Sequence, residues 1–217
     1  NWPVHFIPNP IDTEKWKCID KQIARDILNL PAEIFLILFG AIGGASEERK
    51  GFDLLQGALR ILASKNESFQ NIEIVIFGQL EPQKPFDYGF RTHFFGHLHD
   101  DQTLNLLYSA CDVTVVPSRQ ENCSLVVLES QASGTPVVAF NETGSSSIIN
   151  HKITGYLARP FEIEDLANGI LWFFRDENKV SGRSVSFYAR NHFDSKKIAK
   201  DYSSLYKAIM LDVSKFE

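Results

Sequence analysis

The chain has few cysteines, no long hydrophobic run and a single methionine. Cys18, Cys111 and Cys123 form no C-x-x-C pair, so the sequence predicts neither a disulfide framework nor a zinc site, and a reducing compartment such as the cytoplasm is expected. No apolar run approaches the roughly 20 residues needed to span a bilayer, and no signal peptide is visible. Because the chain opens at Asn1 and its only methionine is Met210, we expect it to be a fragment of a longer protein.

The charge distribution argues against a nucleic-acid partner. There are 22 Lys and Arg residues against 27 Asp and Glu, which gives a net charge of -5, and no basic block or basic stripe interleaved with aromatic residues occurs. With 217 residues and 44% hydrophobic content, the chain can bury one sizeable core. We therefore expect residues 1–217 to form a single domain.

Hydrophobic periodicity predicts alternating strands and helices, which is typical of an α/β fold with a parallel sheet and helices on both faces. The predicted strands are 34–39, 72–77, 92–95, 113–116 and 137–140. The first predicted helix follows Gly51, and two more span 100–110 and 125–133. A fourth includes 163–173, and the last begins near Ser195.

Two glutamates separated by seven residues flank one of these helices. Glu121 is predicted to lie in the loop at the carboxyl end of a strand, and Glu129 in the following helix, about 7 Å beyond its start. Between them lie the unpaired N–H groups of the helix start, a natural anion site. Such a layout suits a nucleotide sugar, with a hydroxylated ring at each end and phosphates in the middle.

The spacing alone favours a simpler explanation, in which two solvated glutamates flank an ordinary helix and Glu121 is only a cap. The context of Glu129 favours a function, because the helix also carries Leu125, Val126, Leu128 and Ala132. A carboxylate that close to buried surface needs a partner.

The segment from Pro117 to Ala139 resembles the E-x7-E signature of retaining glycosyltransferases with the GT-B fold, especially their family four. Four further blocks are similar to family motifs in the family's order: Ile7–Asp12, Lys50–Leu55, Phe95–Leu98 and Thr154–Leu157. Together the matches extend from Val4 to about Tyr206. We predict a turn at Thr154 and Gly155.

The resemblance implies a Rossmann-like fold and places the chain in the second, donor-binding domain of a GT-B enzyme, with the N-terminal acceptor domain absent from this chain. It implies catalytic roles for Glu121, which would orient the donor sugar, and for Lys50 at the diphosphate, while Glu129 would bind the ribose. Cys123 is interpreted as a helix-start residue that offers its backbone amide. The implied donor-binding residues are Gly43, Gly44, Arg49, Lys50, Gly96, His97, Leu98, Glu121, Asn122, Cys123, Ser124, Leu125, Val126 and Glu129. The nucleotide sugar would be a co-substrate, with no other cofactor and no metal required.

One departure from the family pattern affects the phosphate site. Most members have an arginine directly after the first-strand glycine, where this chain has Ala41 and a longer loop, and Arg49 is a candidate replacement. A similar G-A-x-G-G loop with an E-N start to the E-x7-E segment occurs in the branch that builds bacterial capsule, exopolysaccharide and O-antigen. We therefore expect transfer of a hexose from a nucleotide sugar, with UDP favoured over GDP, to a glycan or lipid-linked acceptor. The full-length protein would then associate peripherally with the inner face of the membrane.

Other functions of the same fold stay open. A catalytically inactive nucleotide-binding module is consistent with the altered loop at Ala41, and a GT-B nucleotide-sugar epimerase is a second alternative. No context for a pyridoxal-phosphate lysine favours a phosphorylase, and no G-x-G-x-x-G fingerprint favours a dehydrogenase. We expect the isolated fragment to be inactive.

Overall fold

The computed structural model describes residues 4–40, 47–64, 71–82 and 89–213. The strands are β1 (Phe35–Gly40), β2 (Ile72–Phe77), β3 (Thr92–Phe94), β4 (Val113–Val116), β5 (Val137–Phe140) and β6 (Gly155–Ala158). The helices are α1 (Lys21–Leu28), α2 (Phe52–Ser64), α3 (Asp101–Ala110), α4 (Leu125–Ala132), α5 (Ile163–Phe174), α6 (Gly182–Phe193) and α7 (Ser195–Val213).

The six strands form one parallel sheet in the order β3-β2-β1-β4-β5-β6. The chain runs outward from β1 in one direction and then returns to extend the sheet in the other direction from β4. In such a doubly wound sheet the connections after β1 and β4 diverge, which opens a crevice at their carboxyl ends. The predicted α/β, Rossmann-like fold is confirmed.

Alternate residues of the strands pack into two hydrophobic cores, one on each face of the sheet. Ile37 and Phe39 point into the core that α2 and α5 cover. Leu36 and Leu38 point into the opposite core, which contains residues of α1, α3, α4 and α6. Successive residues point to opposite faces of the sheet, and both faces are buried. Each strand therefore reads as a continuous apolar run.

Several elements were absent from the prediction. The sequence pattern did not indicate α1, α6 or β6, and the turn predicted at Thr154 and Gly155 is wrong at Gly155, which begins β6. Gly155 is required there because an added Cβ would lie 2.2 Å from the carbonyl oxygen of Val137 on the neighbouring strand. Only glycine therefore fits at this first residue of β6.

Helix α1 is fixed to the sheet by a buried arginine. The guanidinium of Arg25 donates to Oδ2 of Asp112 at 2.7 Å and to the backbone oxygen of Ala110 at 2.8 Å. Asp112 also accepts from the N–H of Leu36 at 2.7 Å. A buried charge needs such partners, and these bonds join α1 to the amino ends of β1 and β4.

The last helix, α7, leaves much of its apolar face exposed. Ile198 is buried, whereas Tyr206, Ile209 and Met210 are at least half exposed. Among the described residues, no helix is both long enough and apolar enough to cross a membrane.

Candidate active site

Glu121 lies where the sequence predicted, in the loop between β4 and α4 at the crevice of the sheet. Two glycines hold this loop by letting backbone pass close to backbone. A Cβ on Gly51, whose φ is 68°, would lie 2.0 Å from the carbonyl oxygen of Pro117. A Cβ on Gly144 would lie 1.6 Å from the carbonyl oxygen of Asn122. Only glycine fits at either position, and the N–H of Gly144 also donates to the Glu121 carbonyl at 2.8 Å.

An arginine fixes the same loop to helix α2. Arg119 binds Asp53 through two hydrogen bonds of 2.8 and 2.6 Å. It also donates to the backbone oxygen of Glu48 at 2.7 Å. A bidentate pair of this kind has a defined orientation, so it positions the loop as well as stabilising it. The sequence reasoning missed this contact.

Glu121 lies beside two cationic side chains. Nζ of Lys50 is 2.8 Å from Oε1 of Glu121, and both side chains are largely buried, with 22% and 11% of their surface exposed. Nη1 of Arg49 lies 3.9 Å from the same oxygen, while Arg49 binds Glu47 at 2.6 Å. The structure therefore brings together Glu121, Lys50 and Arg49, three of the predicted site residues.

Helix α4 begins one residue after Ser124, whose side chain makes no capping hydrogen bond. The first N–H groups of an α-helix have no acceptor within the helix, and they lie between Glu121 and Glu129. Leu125, at the helix start, is 52% exposed, so this end of α4 is open. The start of the helix combines free donors with the positive end of the helix dipole.

Cys123 lies directly before Ser124, the N-cap residue of α4. Its carbonyl accepts from the side chain of Asn9 at 3.0 Å, and its sulfur accepts from the Asn9 N–H at 3.3 Å. The I-P-N-P block thus packs against the loop that carries Glu121. Burial raises the pKa of the Cys123 thiol.

Glu129 lies in α4 and has the partner that its position requires. The hydroxyl of Tyr108, on α3, donates to Oε2 of Glu129 at 3.0 Å. Burial raises the pKa of Glu129 from 4.5 to about 7, and the charge of Asp101 adds to the effect. The hydrogen bond from Tyr108 and the charge of Lys15 act in the opposite direction. A carboxylate with so perturbed a pKa in a crevice is a candidate functional group.

The block Gly96, His97 and Leu98 follows β3, at the same edge of the sheet. Gly96 has a φ of 62°, and its carbonyl accepts from the N–H of Gly78 at 2.7 Å. His97 is exposed, whereas Leu98 packs against the core on the α3 face. Gly43 and Gly44, together with Ala41, lie outside the described residues.

A cavity of about 510 Å³ lies at the opposite edge of the sheet. Its lining includes Phe35, Asp112 and Pro136, which stand at the amino ends of β1, β4 and β5. The ligand crevice of a doubly wound sheet lies at the carboxyl ends of its strands. The candidate site is therefore the crevice with the two glutamates. Within the described ranges, no group of three or more His, Cys, Asp or Glu residues is arranged to hold a metal ion.

Known proteins share both the sequence pattern and the fold. Residues 20–190 match the family model described as Glycosyl transferases group 1. The capsular polysaccharide biosynthesis glycosyltransferase CapM of Staphylococcus aureus is 24% identical over 212 residues, which cover 93% of this chain and 53% of CapM.

Two solved structures have the same fold over most of this chain. Sucrose-phosphate synthase from Thermosynechococcus elongatus has a TM-score of 0.77 and 27% identity, over 96% of this chain and 53% of that chain. The Anabaena protein HepE, in complex with UDP-glucose, has a TM-score of 0.67 and 25% identity, over 91% of this chain and 57% of that chain. The chain spans about a third to a half of the length of the curated relatives it matches. Because the family model matches well over half of its residues, the chain belongs to the group 1 glycosyl transferases, which have the GT-B fold.

Proposed function

We propose that this chain is the donor-binding domain of a retaining glycosyltransferase that moves a hexose from UDP-sugar to a glycan or lipid-linked acceptor in polysaccharide synthesis. The observation that carries the proposal is the placement of two differently partnered carboxylates on either side of the open start of α4. Glu121 is paired with Lys50 at 2.8 Å, and Glu129 with Tyr108 at 3.0 Å.

Each part of the site then has one task. Lys50, Arg49 and the first N–H groups of α4 bind the diphosphate and stabilise its charge as the bond to the sugar carbon breaks. Glu121 accepts hydrogen bonds from sugar hydroxyls, and Glu129 accepts them from the ribose diol. The backbone of Gly96 to Leu98 contacts the base. The raised pKa of Cys123 disfavours a thiolate, so we assign it no nucleophilic role.

The remaining parts of the reaction belong to chain outside these 217 residues. We propose that residues 1–217 act as one domain, that an acceptor domain precedes them in the whole protein, and that the isolated domain binds donor without transferring sugar. HepE with UDP-glucose supports the choice of UDP, and CapM supports a polysaccharide product. A lipid-linked acceptor would place the whole protein at the inner face of the membrane. Since basic groups and amides face the diphosphate, no metal is required.

Calorimetric titration of the chain with UDP, GDP, ADP and their hexose conjugates tests the donor site. We expect UDP to bind most tightly, Glu129→Ala to weaken every ribonucleotide, and Glu121→Ala to reduce mainly the differences among UDP-sugars. Glu164→Ala, at an exposed glutamate on α5, is the control and should change nothing. Equal affinities in the parent and both site variants would exclude these roles.

A catalytically inactive module would bind the same ligands, so turnover must be measured separately. Full-length protein is assayed for UDP release with lipid-linked acceptors, and Glu121→Ala serves as the control that removes specific turnover. Tight UDP-sugar binding without UDP release would favour the inactive module. Conversion of the sugar without an acceptor would favour an epimerase.

A further inference from the structure

Glu129, the second glutamate, is held by Tyr108, a residue outside the E-x7-E signature. We propose that Tyr108 is a positioning residue for donor binding: its hydroxyl holds Oε2 of Glu129, so that Oε1 is presented to the ribose diol. The inference rests on the proposed function, because it gives Glu129 the ribose as its ligand.

Tyr108 is suited to this task because its ring cannot move easily. The residue is fully buried, and its ring makes edge contacts with Trp16 and Phe77, each at a centroid distance of 5.9 Å. Its backbone oxygen accepts from the Thr135 hydroxyl at 2.6 Å. The phenol oxygen is therefore a fixed point, and the carboxylate that binds it acquires a defined orientation.

The phenol can donate over the whole useful pH range. Burial and the neighbouring charge of Glu129 raise the pKa of Tyr108 well above its usual value, so its proton stays on the oxygen. Oε1 of Glu129 accepts no hydrogen bond from any residue that the structure describes. One carboxylate oxygen is occupied and the other is available, which is the arrangement that a ligand hydroxyl needs.

The same hydrogen bond favours the ionised carboxylate. The groups that face Glu129 are Tyr108 and Asp101 from α3 and Lys15 from the segment before α1, where Lys15 and Asp101 form an ion pair. Burial and Asp101 raise the pKa of Glu129, and Tyr108 and Lys15 lower it. Removing the hydroxyl should therefore shift the protonation of Glu129 to higher pH.

The test compares Tyr108→Phe with the parent chain for binding of UDP and of 2′,3′-dideoxyuridine diphosphate between pH 6 and pH 9. We expect Tyr108→Phe to bind UDP about tenfold more weakly at pH 7, the typical effect of losing a hydrogen bond to a charged group. Part of the lost affinity should return at higher pH as the Glu129 carboxyl ionises, and the dideoxy analogue should bind parent and variant alike. Tyr156→Phe is the matched control. Tyr156 lies on the edge strand β6, and its hydroxyl also donates to a carboxylate, that of Asp165, at 3.1 Å.

The outcomes separate the inference from the proposed function. If the parent chain binds UDP and the dideoxy analogue equally, Glu129 does not bind the ribose and the proposed function is wrong there. If Glu129→Ala removes the preference for UDP but Tyr108→Phe follows the parent at every pH, only the role of Tyr108 is overturned. Equal weakening of both ligands with an unchanged pH profile would show a merely structural role and would also overturn it.

Phenylalanine keeps the ring and its packing, so Tyr108→Phe is expected to fold. If it does not, the parent chain is labelled with 3-fluorotyrosine, whose phenol is a stronger donor. The pH midpoint of UDP binding should then move down, and an unmoved midpoint would contradict the inference.

Discussion

The strongest prediction concerns the free energy that the buried Glu129 costs the fold. In the folded chain its pKa is about 7, against 4.5 for an exposed glutamate. A difference of 2.5 units corresponds to about 3 kcal/mol, at about 1.4 kcal/mol per unit. Glu129→Gln keeps the shape of the side chain and removes its charge.

The sign of the effect follows from proton binding. Well below pH 4.5 the carboxyl is neutral in both folded and unfolded chains, and its ionisation contributes nothing. Between that pH and about 7 the unfolded chain releases the proton and the folded chain retains it, so the free energy of unfolding falls as pH rises. Above about 8 the loss is complete. We therefore expect the difference in unfolding free energy between Glu129→Gln and the parent to change by about 2.5 kcal/mol, in favour of the variant, as the pH rises from 5 to 8.

Urea unfolding of both proteins at several pH values measures this difference, and the comparison cancels the titration of every other group. Glu164→Gln, at the exposed glutamate on α5, should give a curve parallel to that of the parent. If Glu129→Gln is also parallel to the parent from pH 5 to pH 8, Glu129 titrates as an exposed group and the reasoning from burial is refuted.

Two further substitutions test the other half of the site. Lys50→Met should weaken UDP binding about tenfold and leave uridine binding unchanged, because the diphosphate is the only part of UDP that Lys50 is proposed to contact. Lys197→Met, which breaks a surface pair of the same 2.8 Å length, is the control, and equal loss for both ligands would argue against a phosphate contact. Gly144→Ala should lower the unfolding free energy by about 2 to 4 kcal/mol in urea titrations, because its Cβ would lie 1.6 Å from the Asn122 carbonyl. Gly57→Ala meets only the flexible side chain of Ile163 at 3.0 Å and should be tolerated, so similar losses for both glycines would contradict the backbone argument.

The sequence was sufficient to predict the elements whose apolar pattern is unbroken. Strand β2 was predicted with its observed bounds, and α4 was predicted to within one residue, because most residues of both elements are buried. Helix α1 was missed because its sequence is largely polar, and only Ala24 and Arg25 are buried. Its helical start is specified by the Asp20 side chain, which accepts from two N–H groups.

The two glutamates could be placed from the sequence, but the long-range contacts around them could not. A strand followed by a helix puts Glu121 at the carboxyl edge of the sheet, which is the edge where a doubly wound sheet binds its ligand. The contact of Glu129 with Tyr108 joins two helices, and that of Cys123 with Asn9 joins segments 114 residues apart. Such contacts depend on how the helices pack, which periodicity does not specify. The restriction of positions 51 and 144 to glycine is likewise visible only when the neighbouring backbone is known.

The charges around Glu121 are close to balance. Lys50 is paired with Glu121, and Arg49 with Glu47, so neither cation is free in this structure. If Lys50 binds the diphosphate as proposed, the diphosphate competes with Glu121 for it, and the affinity gained is the difference between two ion pairs. The loss of Lys50 from Glu121 would in turn leave that carboxylate to the sugar hydroxyls. On the proposed assignments, phosphate binding and sugar recognition are coupled through one 2.8 Å contact, so we expect only a modest effect for Lys50→Met.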